Sequence, residues 1–245
     1  MHDPAGVMFP HLETITPLLK SIFARVFVSV TRITRQALPE HVARLETDSF
    51  FYITYHEMDI SVGEDFLTLY SNAAAHCHPN QVLHLCFIDR VAFTLQSSHQ
   101  SAFIADVQAV QPEHTPLIFQ RSTAAWNTHP QNYRELEQMV TRAGELLFQK
   151  SLDFAWCHLA IQAQQLQSVI PRVKHRDLSM FAEFVLLLRD AIHTKDVDWL
   201  AWEDPFIYGR DPRQLKAKRE QSAAETRKRL SYVISMLKLL SASTY

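Results

Sequence analysis

Apolar residues along the first half of the chain fall into short, dense runs. Ala24 to Thr31, Phe50 to Tyr55, Val82 to Ile88 and Leu117 to Gln120 are rich in β-branched and aromatic side chains and predict buried strands. Helical spacing marks Leu12 to Ser21 ahead of the first run, and then Pro39 to Leu45, Ser61 to Ala75 and Val91 to Val110 between the runs. This alternation predicts an α/β fold with a Rossmann-like, mostly parallel sheet in the N-terminal half. Further on, Gln131 to Phe148, Leu159 to Val169, Leu178 to His193 and Arg213 to Leu240 all read as helices, so the C-terminal half is expected to be helical. The chain carries no repeat, low-complexity tract or linker. It reads as a single α/β domain over 1–245, with a sheet-forming region at about 22–122 and a helical region at about 130–240.

Composition narrows the functional classes. A hydrophobic content of 47% supports a sizeable core, and 24 basic against 26 acidic residues, spread along the chain, give no field to draw in nucleic acid. Met1 to Pro10 lacks a basic start followed by an apolar stretch, and no uninterrupted apolar run is long enough for a membrane span. Cys77, Cys86 and Cys157 form no CxxC pair, as expected of free thiols in a cytoplasmic protein without membrane insertion. The four glycines, Gly6, Gly63, Gly144 and Gly209, are far apart. Glycine-rich phosphate loops are therefore excluded, and a nucleotide would have to be held by side chains and helix N-termini.

In parallel α/β sheets, ligands collect at the carboxyl ends of the strands. That rule selects Thr31, Arg32 and Thr34 after the first strand, His56, Glu57 and Asp59 after the second, Asp89 and Arg90 after the third, and Arg121 and Ser122 after the fourth. Asp89 and Arg90 stand out because the run Leu83 to Ile88 ends abruptly in an acid beside a base, suited either to a phosphorylated ligand or to a salt bridge sealing the strand. Arg121, Ser122, Thr128, His129 and Pro130 join a strand to a helix, which suggests a glycine-free phosphate site with Thr128 or Asn127 as the helix cap. Those residues serve equally to start a helix and tie down a loop.

Two further constellations carry possible chemistry. Asp198 to Asp211 combines Trp199 and Trp202 with Glu203 and Asp204; an indole packs on a pyranose face while a carboxylate, Glu203 first, deprotonates a hydroxyl. The same segment also reads as a turn with buried tryptophans. His76, Cys77, His78, His84 and Cys86 invite zinc, but no standard ligand spacing occurs, and His56-Glu57 is not followed by a second histidine, position 60 being Ile.

Taken in order, Val28 to Thr31, Asp89 with Arg90, Arg121 with Ser122, the Thr128 to Pro130 turn with Glu137, Asp153, and Trp202 with Glu203 resemble a group of bacterial proteins with a glycosyltransferase A-like (nucleotide-diphospho-sugar transferase) fold. The likeness runs over about residues 24 to 240 and lies in the order of segments rather than in one motif. It implies a nucleotide-sugar donor held by Thr31, Asp89, Arg90 and Arg121, with Ser122 and His129 nearby. Glu203 would be the catalytic base, with Trp202 and Asp204 on the acceptor side, and Asp89 would carry any Mg²⁺ or Mn²⁺. The aspartate-x-aspartate of metal-dependent members is replaced, since Phe87 and Ile88 precede Asp89, and Phe66 stands where an arginine is expected after Gly63. The alternative expectation is a non-catalytic interaction protein or inactive homologue that uses the charged helix from Arg213 to bind a partner or a second copy.

Overall fold

A computed structural model describes residues 1–56 and 60–242; the strand-exit candidates Glu57 and Asp59 lie outside the described residues. Helix α1 (Met8–Ile22) buries Phe9, Leu12, Ile15 and Leu19 along one face and leads into β1 (Val26–Val30). Short helices α2 (Arg32–Ala37) and α3 (Pro39–Thr47) return the chain to β2 (Phe51–Tyr55). β2 pairs parallel with β1, Val26 opposite Phe51 and Val30 opposite Tyr55, so the βαβ unit expected from the pattern is present. It forms a separate sheet of two strands.

The second sheet departs from expectation. After α4 (Val62–Ala75) come β3 (Val82–Cys86), α5 (Ile88–Leu95), α6 (Gln100–Gln108), β4 (Leu117–Arg121), α7 (Thr123–Thr128) and α8 (Gln131–Phe148). Next are β5 (His158–Gln162), α9 (Ala163–Val169), α10 (Met180–Leu188), β6 (His193–Val197), α11 (Asp204–Ile207), α12 (Pro212–Gln221) and α13 (Ala223–Ala242). The strand order is β3-β5-β4-β6, with β5 antiparallel to both neighbours and only β4 and β6 parallel. The protein is thus α/β with one parallel and one mixed sheet, not a single mostly parallel sheet, and its C-terminal half contributes two strands rather than helices alone.

The reasons are local. In β5 every residue from His158 to Ile161 is buried, and a run buried on both faces has no period by which to tell it from a helix. The expected helix Val91 to Val110 is two helices, α5 and α6, and the expected helix Arg213 to Leu240 breaks at Ser222. There the backbone turns extended and the hydroxyl accepts the Glu225 N–H at 3.2 Å, which starts α13 anew. Among the described residues, no helix is long and apolar enough to cross a membrane.

Alternation along the mixed sheet divides its side chains between two cores. Leu85, Ile118, Leu159 and Ile161 face one, shared with α4, α8, α9, α10 and α13. Phe119, Ala160 and Val197 face the other, shared with α1, β1, β2, α5 and Trp199. Both faces are covered, so the sheet is a central layer. At Gly144 a Cβ would meet the Phe154 ring at 2.1 Å; the absent side chain lets α8 lie directly against the segment that carries Asp153.

Candidate functional site

The mixed sheet sends β3, β4 and β6 out at one edge, and antiparallel β5 enters there. Four connections therefore meet: Phe87 to Arg90, Arg121, Ala155 to Cys157, and Trp202 to Asp204. Together with α8 and the α12–α13 arm they enclose a cavity of about 420 Å³. Asp89, Arg90, Arg121, His129, Trp202, Glu203 and Asp204, all singled out by sequence, line it. Thr31 and Ser122 do not. Thr31 caps α2, its hydroxyl accepting the Thr34 N–H at 3.4 Å, and Ser122 caps α7, accepting from Ala125 N–H at 3.1 Å while donating to Asp198.

Asp89 is not at the strand terminus, since β3 ends at Cys86; it lies in the first turn of α5, where a carboxylate favours the helix N-terminus and accepts the Arg90 N–H at 2.8 Å. Arg90 reaches across to Glu203, Nη1 lying 2.6 Å from Oε2. No N–H of Arg90 is aligned with that oxygen, and Glu203 Oε2 is left without a hydrogen bond although the side chain is only 8% exposed. Burial, together with the charges of Asp89 and Asp204, pushes the Glu203 carboxyl up to about 7 against the pull of Arg90. Burial raises Asp89 as well. Asp89 and Glu203 share one environment, and the charge of each raises the cost of ionising the other.

His129 holds Arg90 from the other side. Its Nδ1–H donates to the Ala125 carbonyl at 3.0 Å, leaving Nε2 to accept from Arg90 Nη1 at 3.4 Å. Burial, reinforced by Arg90 and Arg121, keeps this imidazole well below its ordinary pKa, so it acts as a neutral acceptor. The helix cap expected at Asn127 or Thr128 is not formed. Thr128 ends α7, donating to the Ala125 carbonyl and accepting the Trp202 N–H at 2.8 Å, which ties Trp202 to the cavity. The first amide of α8, Gln131 N–H, donates instead to Glu220 at 2.8 Å; an acid of the protein occupies the anion position expected there.

The Arg121 side chain is 2% exposed and its donors are largely spent. Nη2 bonds Asp153 at 2.9 and 3.1 Å, Nη1 bonds Glu137 at 2.7 Å, Nε bonds Asp153 at 3.3 Å, and the plane stacks on Trp126 at 3.7 Å. Burial opposes the charge, but Asp153 and Glu137 outweigh it and hold the guanidinium above its ordinary pKa. Glu137 is shared with Arg229 at 2.6 Å. Arg121 is thus the fixed centre of a buried network rather than a hand extended to a ligand.

Sequence patterning assigns the charged α12–α13 stretch to solvent or to a partner, whereas the structure places it on the cavity wall. Arg219, Glu225, Lys228, Arg229 and Tyr232 all line the cavity, with Tyr133 of α8 opposite. Arg229 lies 4.0 Å over the Tyr133 ring and Tyr133 donates to Glu225 at 2.7 Å. The available signal was the mixture of arginines, acids and a tyrosine on the same helix whose other side is apolar.

Arg90 lies against Glu203 and Arg219 against Asp204 at 3.3 Å, and among the described residues no group of three or more His, Cys, Asp or Glu side chains converges to hold a metal. His84, from the stretch that invites zinc, is half-buried and bonded at 3.0 Å to the buried His158 of β5.

Compared with known proteins, the chain matches no family, no curated protein and no solved structure. The reading of function therefore rests on the cavity itself.

Proposed function

We propose that the cavity binds a nucleotide-diphospho-sugar and that the protein transfers the sugar to an acceptor hydroxyl, with Glu203 as the base. The observation that carries this reading is the buried Glu203 carboxyl, which lines the cavity with Trp202, has no aligned hydrogen-bond donor on Oε2 beyond its ion pair with Arg90, and is pushed up to about 7, where it can take a proton near neutrality. An acceptor O–H would give its proton to Oε2 while the oxygen bonds the anomeric carbon. The bond from that carbon to the diphosphate oxygen breaks, and its electron pair leaves with the phosphate. Arg90, fixed between His129 and Glu203, is the cation nearest this exchange and would stabilise the departing charge. Asp204 and Trp202 would border the acceptor, and no step needs a metal at Asp89.

The test is turnover of UDP-, GDP-, CDP- and ADP-sugars by the wild type and by Glu203→Gln, followed as release of the nucleoside diphosphate. Release by the wild type that rises with pH around 7 and is lost in Glu203→Gln supports the reading; absence of binding and release for every donor sinks it. A second reading, an interaction protein, is favoured by the exposed Met139 and Leu146 of α8 and Leu230 and Ile234 of α13. Lysine at Leu146 and Leu230 would then abolish a self-association or partner complex visible by light scattering.

A further inference from the structure

The three cations of the α12–α13 arm differ from Arg121 in what they have left to give. Arg229 is clamped between two tyrosine rings, 4.0 Å from Tyr133 and 5.6 Å from Tyr232, and among the described residues only its Nη1 donates, to Glu137. Its Nε and Nη2 donors are uncommitted. Arg219 bonds Asp204 and Glu225 through its two terminal nitrogens, leaving a buried Nε–H with no acceptor. The Lys228 ammonium makes no ion pair or hydrogen bond with the described residues. All three line the cavity, and two of them are held in place by side chains already paired elsewhere.

Unspent donors in a fixed array want a ligand with many acceptor oxygens. A carboxylate offers two and a sugar hydroxyl one at a time, whereas a phosphate or diphosphate offers several at once and matches guanidinium geometry. Glu137, Glu225 and Asp204 do not cancel this: each approaches its arginine from one side and sets the direction of the remaining N–H groups.

We infer that Arg219, Lys228 and Arg229 form a phosphate subsite on the α12–α13 wall of the cavity, distinct from Arg90 and Arg121. The inference rests on the cavity being the ligand site proposed above, and it assigns the ligand's phosphate to the part of the chain that sequence patterning leaves to solvent. The donor's diphosphate would be gripped by α13 while its sugar reaches Glu203 and Trp202.

The experiment is calorimetric titration of the full chain with inorganic pyrophosphate at low salt, repeated for Lys228→Gln, Arg229→Gln and Arg90→Gln, each checked for an unchanged circular dichroism spectrum. Lys228 is exposed and unpaired, so its variant keeps the fold even where Arg229→Gln does not. Saturable binding that weakens roughly tenfold with each α13 substitution, and by more than in Arg90→Gln, is expected. Competition by a nucleoside diphosphate but not by a hexose phosphate would mark a nucleotide as the source of the phosphate, and the reverse would mark a sugar phosphate; either supports the subsite. No pyrophosphate binding by the wild type, or binding that both α13 variants retain, overturns it. Binding lost only in Arg90→Gln overturns the subsite while leaving the transferase reading intact, and pyrophosphate binding on α13 without turnover of any donor does the opposite.

Discussion

Arg90 and Glu203 are far apart in sequence, yet Nη1 of one stands 2.6 Å from Oε2 of the other inside the cavity. The contact joins the first turn of α5 to the segment after β6, two connections that meet only because β3 and β6 leave the mixed sheet at the same edge.

That relationship makes Glu203→Gln informative about stability as well as activity. The fold raises this carboxyl from its ordinary 4.5 to about 7, so the protonated form favours folding, and that contribution is lost as pH rises through about 7. The amide keeps the shape without the buried charge. We expect the variant to melt higher than the wild type at pH 8, with the gap closing toward pH 5, while donor turnover falls; a variant less stable at pH 8 would show that the charge is structurally required.

Arg121 should behave in the opposite way. Replacing it with methionine strands Glu137 and Asp153 beside an apolar side chain, a loss of about 3–5 kcal/mol when one partner of a buried ion network is removed. Urea unfolding measures this directly. A variant within about 1 kcal/mol of the wild type would return Arg121 to the role of ligand contact.

Acid sensitivity should arise at His84 and His158. Burial lowers His84 to about 4 and His158 well below its ordinary value, and each retains a ring nitrogen without a partner. A depressed imidazole pKa means that the unfolded chain takes up protons the folded one refuses, so the stability is intact above about 6.5 and drains away as pH falls toward 4. Leucine at both positions should flatten the fall in melting temperature between pH 6.5 and pH 4.5; an unchanged profile would place the acid response elsewhere.

Helix α12 should open more readily than its neighbours. It buries no residue and is held by polar contacts, Glu220 on Gln131 N–H, Lys216 on the Asn127 carbonyl at 3.0 Å and Arg219 on Asp204, beyond a left-handed turn at Gly209. Amides of 212–221 should exchange faster than those of α8, faster again in Glu220→Gln, and faster with about 0.5 M salt, which screens such contacts within a few ångströms. Equal protection in α8 and α12 would mean an anchor other than these charges.

Much of the local structure was legible in the residues. β1, β2, β3 and β4 lie where dense β-branched and aromatic runs predict them, and α8 spans Gln131–Phe148 as the periodicity states, because both signals act within a few positions. β5 reads as helix in the sequence because burial on both faces removes the period that separates strand from helix. The break at Ser222 does not show in the pattern, because one capping serine in a charged helix is a weak signal.

Chemistry divided along the same line. Residue type and position after a strand sufficed to select Asp89, Arg90, Trp202, Glu203 and Asp204, which do line one cavity. Only the tertiary structure decided that Thr31 and Ser122 cap helices, that Arg121 is consumed by Asp153 and Glu137, and that Arg219, Lys228 and Arg229 wall the cavity. The physical reason is that a side chain's availability depends on which partners reach it first. For Arg121 those partners come from α8 and the segment before β5, and their approach is set by the strand order, which no local pattern in the chain encodes.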